Sequence, residues 1–340
     1  MMRRVILASL AVLATCAAAL PAQAGATLDA IRARGQLVCG IHTGIAGFAL
    51  PDARGVWRGL DVDLCRGLAV ALFNDPEKVR FSPLSSSTRF TALGSGEVDV
   101  LFRTSTHTMM RDVTLGLRAI TPYFYDGHGF MVRAGGVTKA SEMGGATICL
   151  ISGTTNELIT ADYFRTQGMP FTPVLFERTD QAAAALQAGR CDSLGTDASQ
   201  LAAIRASMSN PAQWTILAER FSKEPYGPYV RRGDDEWFDL VRWYVNAVME
   251  AEERGVTSAN ADQVKRDSTN PDTRRLLGVS PELGQAMKLD PAWVVNVVKA
   301  VGNYGEIYER NMGVQTPVGL ARGPNELWNK GGLLYPLPMR

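Results

Sequence analysis

No feature of this sequence restricts its possible folds more than an ordered alternation of short strand-like and longer helix-like runs, which occurs twice. In the first unit, residues 36–41 read as a strand, 61–73 as a helix and 79–83 as a strand, with Gly, Asp and Pro between them. A helix-like run over 87–93 stops at Gly94-Ser95-Gly96, and a strand follows at 98–102. Alternation of this kind indicates α/β architecture, with parallel strands and helices crossing over the sheet. The second unit is a smaller copy: strand 146–151, the turn Gly153-Thr154-Thr155, a helix through Phe164, strand 174–176, helix 180–188 and strand 191–194. An extended run at 129–133, followed by the flexible Ala134-Gly135-Gly136, and a second at 227–231 are expected to cross between the units. Asp234 is placed to cap a helix carrying Trp237, Val241, Tyr244 and Val248 on one face, with Gly255 as its stop.

The expected architecture is therefore two α/β lobes, one from residues 25–130 and 231–340, the other from 131–230, joined by two hinge crossings. A hinged clamp of this kind closes on a small ligand. The last 80 or so residues, broken at Asn270-Pro271, Gly278, Gly302 and Gly331-Gly332, read as two or three helices packed on the first lobe. Trp293, Trp328 and Tyr335 are expected to pack there rather than to stack on a ligand. A length of 340 residues agrees with two domains.

The N-terminus reads as a secretory signal peptide. Met1-Met2-Arg3-Arg4 is a basic start, residues 5–20 are apolar or small, and Ala22-Gln23-Ala24 is an A-x-A cleavage site. Cleavage is expected after Ala24, which leaves 316 of the 340 residues with 33 basic against 34 acidic side chains. Leu13-Ala14-Thr15-Cys16 resembles a lipoprotein box, but Thr15 stands where a smaller residue is usual, so lipid attachment at Cys16 is the weaker option. Near-neutral charge without a Lys/Arg run argues against nucleic acid as a partner. Four cysteines remain after cleavage, and an exported chain with an even number is expected to oxidise them. Cys39 and Cys65 fall in one strand-helix unit, and Cys149 and Cys191 in strands read as neighbours, so these are the expected pairs; buried free thiols are the alternative. With no C-x-x-C and with His42, His107 and His128 scattered, no metal site is expected.

Five segments carry a family resemblance: Gly59-Leu60-Asp61-Val62-Asp63-Leu64-Cys65-Arg66, Gly96-Glu97-Val98-Asp99-Val100-Leu101, Tyr125-Asp126-Gly127-His128-Gly129-Phe130-Met131-Val132, Ser152-Gly153-Thr154-Thr155 and Asn303-Tyr304-Gly305-Glu306-Ile307. Together they resemble the periplasmic polar amino acid binding proteins of ABC importers, and within these the general L-amino acid group. The resemblance spans nearly the whole mature chain. It implies a type II periplasmic binding protein fold and a periplasmic, monomeric protein that captures an L-amino acid and passes it to a membrane permease. No cofactor is implied.

Whatever the name, a zwitterion needs a cation for its carboxylate and an acceptor for its ammonium. Arg111 follows the polar loop after strand 98–102, where its planar fork can grip a carboxylate, with Thr104, Thr106 and nearby N–H groups filling the remaining lone pairs. The resemblance aligns Arg111 with the family's carboxylate-binding arginine; the competing reading is a surface ion pair with Asp112 or Glu97. Thr155 stands at a strand-to-helix turn, where free N–H groups favour an anion, and it can also serve as a simple N-cap. Asp197 aligns with the family's ammonium-binding aspartate, with an N-cap role as its alternative. By the same alignment His42 and Phe48 line the pocket. His107 replaces the family's usual aromatic, which implies a changed pocket or a pH response, with an exposed loop histidine as the alternative. Arg103 favours an acidic ligand side chain or serves as a structural ion pair.

Two other classes compete. A cleft enzyme resembling cyclohexadienyl dehydratases needs a positioned acid or base, for which Glu157 is the only extra carboxylate expected near the cleft. A chemosensory protein would present its ligand to a separate receptor. The motifs G-x-S-x-G, H-E-x-x-H and the phosphate-binding glycine loops do not occur.

Overall fold

The computed structural model describes residues 26–340; the expected signal peptide, Cys16 included, lies outside the described residues. In the first lobe, strand Leu37–His42 pairs in parallel with Val79–Leu84 on one side and Val100–Leu101 on the other. Tyr229–Arg231 then pairs antiparallel with both Val100–Leu101 and Leu117–Ala119, completing five strands. The second lobe repeats this plan. Thr147–Ile151 lies parallel to Thr172–Phe176 and Ser193–Asp197, and His128–Arg133 runs antiparallel between Ser193–Asp197 and Trp214–Ile216. Each sheet is thus parallel where the sequence alternates strand with helix, and antiparallel where the chain enters or leaves the lobe.

The crossings lie a few residues before the expected positions. Residues 129–133 form part of a second-lobe strand and 229–231 a first-lobe strand, so 128–130 belong to the second sheet and 229–230 to the first. Between the sheets, Phe124–Asp126 and Glu224–Tyr226 pair antiparallel with each other. An extended apolar run in a lobe-crossing protein is as well suited to a buried strand as to a connection, and local pattern does not separate the two.

The long helix Asp235–Glu253 forms as its sequence suggests. Asp234 accepts a hydrogen bond from the backbone N–H of Trp237 at 2.9 Å, and Trp237, Val241, Tyr244 and Val248 are buried against the first sheet's core. Five short helices follow between Ala261 and Asn311, more than the two or three expected. Trp293 is buried, whereas Trp328 and Tyr335 are exposed and pack on one another with ring centroids 5.3 Å apart. No described helix is long and apolar enough to cross a membrane.

Several of the segments shared with the family build scaffold. Gly59 has φ 134°, and a Cβ there would lie 2.1 Å from the carbonyl oxygen of Phe48, so only glycine fits. Asn303 and Glu306 form a reciprocal capping box on helix Tyr304–Asn311. Each lobe also carries one disulfide: Cys39–Cys65 ties a central strand to helix Leu60–Phe73, and Cys149–Cys191 ties neighbouring strand regions. Replacing Cys149 and Cys191 together by Ser, which opens a loop of sequence separation 42, should lower stability by about 2–4 kcal/mol. Urea unfolding would read this as a lower midpoint, and an unchanged midpoint would refute the estimate.

Candidate functional site

The cleft between the lobes is lined from the C-terminal ends of all six parallel strands, where open α/β sheets bind ligands. His42 ends Leu37–His42, Ser86 and Arg89 follow Val79–Leu84, and Arg103, Thr104, Thr106 and Arg111 follow Val100–Leu101. From the second lobe come Thr154, Thr155 and Asn156 after Thr147–Ile151, Thr179 after Thr172–Phe176, and Asp197 and Gln200 at the end of Ser193–Asp197. The free volume between these side chains is only about 20 Å³, so the lobes stand nearly closed on one another. Ser87 donates to Glu177 Oε2 at 2.7 Å and Arg89 Nη2 to the carbonyl oxygen of Gly153 at 3.4 Å, so the lobes touch across the mouth.

The first-lobe wall is cationic. Arg89 and Arg103 are 2% and 3% exposed. Arg103 donates from Nε to Leu84 O at 2.9 Å and from Nη2 to Ser86 Oγ at 3.0 Å. Burial pulls its pKa down to about 10, which leaves it charged at neutral pH. Arg89 is held well below its ordinary value, by burial first and then by Arg103 and Arg111, and its Nε has no protein partner. Arg111 donates from Nη1 to Thr106 O at 3.0 Å and lies over the ring of Phe90. Burial lowers its pKa too. His42 is pushed well below its usual range, by burial and then by Arg103 and Arg89. Its Nδ1 accepts from Gly44 N–H at 3.0 Å, so the neutral ring carries its proton on Nε2, a donor on the cleft wall.

The facing wall carries one carboxylate, Asp197, among neutral polar groups. Asp197 is 3% exposed. Its Oδ2 accepts from Tyr226 OH at 2.6 Å and Gln200 Nε2 at 3.1 Å, while Oδ1 is buried without a protein partner. Burial raises its pKa well above the usual carboxylate range, with the nearby Asp126 and Glu224 adding to the shift. Asp126 is itself raised to about 6, mainly by burial. Glu224, on the returning hinge strand, joins both lobes: its Oε2 accepts from Thr106 Oγ1 of the first and, at 2.8 Å, from Thr155 Oγ1 of the second. Ser222 donates to Oε1 at 2.7 Å.

Of the residues singled out from sequence, Arg111, Asp197, Thr104, Thr106, Thr155, Arg103 and His42 meet in this one cleft. Thr104 adopts φ 34°, left-handed backbone that costs a threonine about 1–3 kcal/mol, and its buried Oγ1 has no protein partner. Thr155 is the first residue of helix Thr155–Thr166, whose cap residue is Thr154, and Asp197 stands at the cap position of helix Ala198–Ser207 without a side-chain capping bond. Phe48 and His107 lie elsewhere. Phe48 is fully buried below the hinge, with its ring 5.2 Å from Phe124 and 6.1 Å from Tyr226. His107 is exposed, because side chains alternate along the extended loop: Thr104 and Thr106 line the cleft, while Ser105 turns back to Arg103 O and His107 lies edge-on to Tyr229. Glu157 is half-buried and does not line the cleft. Sequence reasoning missed Arg89 and Glu224. Arg89 follows a parallel strand end, a signal available in the sequence, whereas Glu224 reaches the site only through hinge pairing across about a hundred residues.

Comparison with known proteins comes to the same architecture. Residues 37–258 match the model of the "Bacterial extracellular solute-binding proteins, family 3". The chain is 50% identical over 322 residues, 94% of each chain, to the "General L-amino acid-binding periplasmic protein AapJ" of Rhizobium johnstonii. It is 48% identical over 320 residues, 94% of this chain and 95% of the other, to the "Glutamate/glutamine/aspartate/asparagine-binding protein BztA" of Rhodobacter capsulatus. A solved structure, an ABC transporter/periplasmic binding protein from Brucella ovis with glutathione bound, superposes with TM-score 0.90 at 50% identity, covering 92% of this chain and 99% of that one.

The raised pKa of Asp197 has a testable consequence. A ligand cation at Oδ1 favours the ionised carboxylate, so below the raised pKa binding must expel a proton, and affinity should fall as pH falls. Calorimetry near pH 6 in two buffers of different ionisation enthalpy should give different apparent binding enthalpies; identical enthalpies would contradict proton release.

Proposed function

The chain belongs to the bacterial extracellular solute-binding proteins, family 3, and we propose that it captures L-amino acids in the periplasm and delivers them to the permease of an ABC importer. Its fold is that of a type II periplasmic binding protein, two α/β lobes on a two-strand hinge. The observation that carries the amino acid reading is the placement of a half-buried cation and an unpartnered buried carboxylate oxygen in one cleft, Arg111 from one lobe and Asp197 Oδ1 from the other.

In this reading the α-carboxylate lies between the Arg111 fork and the N-terminus of helix Thr155–Thr166, and the ammonium donates to Asp197. Thr104 supplies a further hydroxyl. Since these groups stand on opposite lobes, the ligand completes the contacts that hold the clamp shut, and a closed clamp is a form that a permease can distinguish from an open one. The protein acts by binding and release, without turnover; the position of Glu157 outside the cleft supports this over a dehydratase. Relatives named for broad and for acidic or amide amino acids, and one solved with glutathione, define the panel to be tested.

Arg111→Ala should lower amino acid affinity by about a hundredfold or more, since removing one partner of a buried charge pair costs roughly 3–5 kcal/mol. Titration calorimetry on ligand-stripped, refolded protein against all L-amino acids, with D-forms, glutathione and prephenate as controls, measures it. Unchanged affinity would remove Arg111 from the site, and turnover of prephenate would overturn the transport reading.

A further inference from the structure

Three buried or largely buried guanidiniums face the cleft, and none donates a hydrogen bond to a carboxylate of the protein. Arg89 donates to Ser86 O and Gly153 O, Arg103 to Leu84 O and Ser86 Oγ, and Arg111 to Thr106 O. One α-carboxylate accounts for Arg111. Arg89 and Arg103, nine-tenths or more buried and on the same wall, are left facing the cleft, and Arg89 keeps a buried Nε–H that no protein atom accepts. Asp61 is the acid acting on Arg103, and one carboxylate behind the wall does not serve two guanidiniums; a buried cation is stable only when an opposite charge or several hydrogen-bond acceptors face it.

From this juxtaposition we infer that Arg89 and Arg103, with Ser86 and the Nε2–H of His42 beside them, form a second anion subsite that selects amino acids with a side-chain carboxylate. The inference rests on the amino acid reading above and narrows it. His42 contributes as a neutral donor, because burial first, and then the adjacent guanidiniums of Arg103 and Arg89, oppose its protonation. The subsite offers donors only: guanidinium N–H groups, an imidazole N–H and a hydroxyl. An ionised carboxylate, with two oxygens and about four lone-pair directions, satisfies such a set. The side-chain amide of glutamine or asparagine presents one oxygen and turns an NH₂ donor toward the guanidiniums, leaving donors unpaired on both sides. A basic side chain meets two like charges. An aliphatic one strips the guanidiniums of water and replaces it with nothing.

Arg89 also touches the second lobe through Gly153 O, so a purely mechanical role, as a latch on closure, is the alternative that the experiment must separate. A latch strengthens every ligand alike, whereas a subsite strengthens only those with a second carboxylate.

The test is titration calorimetry of the ligand-stripped, refolded protein with L-glutamate, L-aspartate, L-glutamine, L-asparagine, L-alanine and L-arginine, repeated on Arg89→Gln with its melting temperature checked. We expect L-glutamate or L-aspartate to bind at least about tenfold tighter than its amide, the range of one charge-assisted hydrogen bond. Arg89→Gln should weaken the dicarboxylate about 10- to 100-fold, and by a factor of about ten or more beyond any change it makes to L-glutamine or L-alanine. An amide that binds as tightly as its acid, or a neutral or basic amino acid that binds tightest, overturns the subsite; so does an equal loss for all ligands in the variant. If Arg89→Gln does not fold, the acid-to-amide ratio of the unaltered protein decides alone. Failure of every amino acid to bind overturns the amino acid reading itself, and the subsite with it.

Discussion

The two lobes depend on a pair of three-residue strands, Phe124–Asp126 and Glu224–Tyr226, and on the carboxylate that one of them carries. Glu224 Oε2 accepts from a threonine of each lobe, Thr106 and Thr155, so the hinge senses where both binding loops stand. Tyr226, two residues on, donates to Asp197 and stacks on Phe124, which stacks in turn on Tyr308 of the C-terminal helices. The mobile part of the molecule is thereby tied at its base to the packed first-lobe core. Closure can then be a rigid-body motion about a short segment, with neither sheet deformed.

The cleft opposes three guanidiniums, two of them almost fully buried, to the buried carboxylate of Asp197. Arg89, His42 and Asp197 are displaced from their ordinary ionisation by loss of water, and the neighbours add to the shift: arginines against Arg89 and His42, acids against Asp197. Such an arrangement is unfavourable for the protein by itself and favourable for a ligand of complementary charge, because each partner it supplies meets a group already stripped of solvent. The left-handed backbone of Thr104 belongs to the same economy of strain held at the site by the surrounding fold. Selectivity follows from the cost of mismatch. A ligand with one acceptor too few leaves a buried donor unpaired.

Much of this was legible before the structure. The strand-helix alternation, the long helix capped by Asp234, both disulfide pairs and seven of the nine expected cleft residues follow from local pattern, cysteine placement and the family resemblance. Phe48 lies outside the cleft and His107 takes its alternative place as an exposed loop histidine, since the direction of a side chain along a loop depends on a register that only tertiary contacts set. His107 lies one step from Thr106 and on the opposite face, its N–H bonded to Pro225 O of the hinge. Arg89 was passed over although it follows a parallel strand end, as the other cleft groups do.

The sequence by itself determined the two α/β units, their cysteine staples and the position of Arg111 and Asp197 at strand ends that face the cleft, because periodicity, turn residues and residue chemistry are properties of short stretches. The tertiary structure alone decided which strands are hinge and which are sheet, and that Glu224 joins the lobes. It also decided that Arg89 stands beside Arg103 with no hydrogen bond to a protein carboxylate. Those facts are relations between segments far apart in the chain, set by which strands pair and which surfaces exclude water, and charge becomes selective only where water has been excluded.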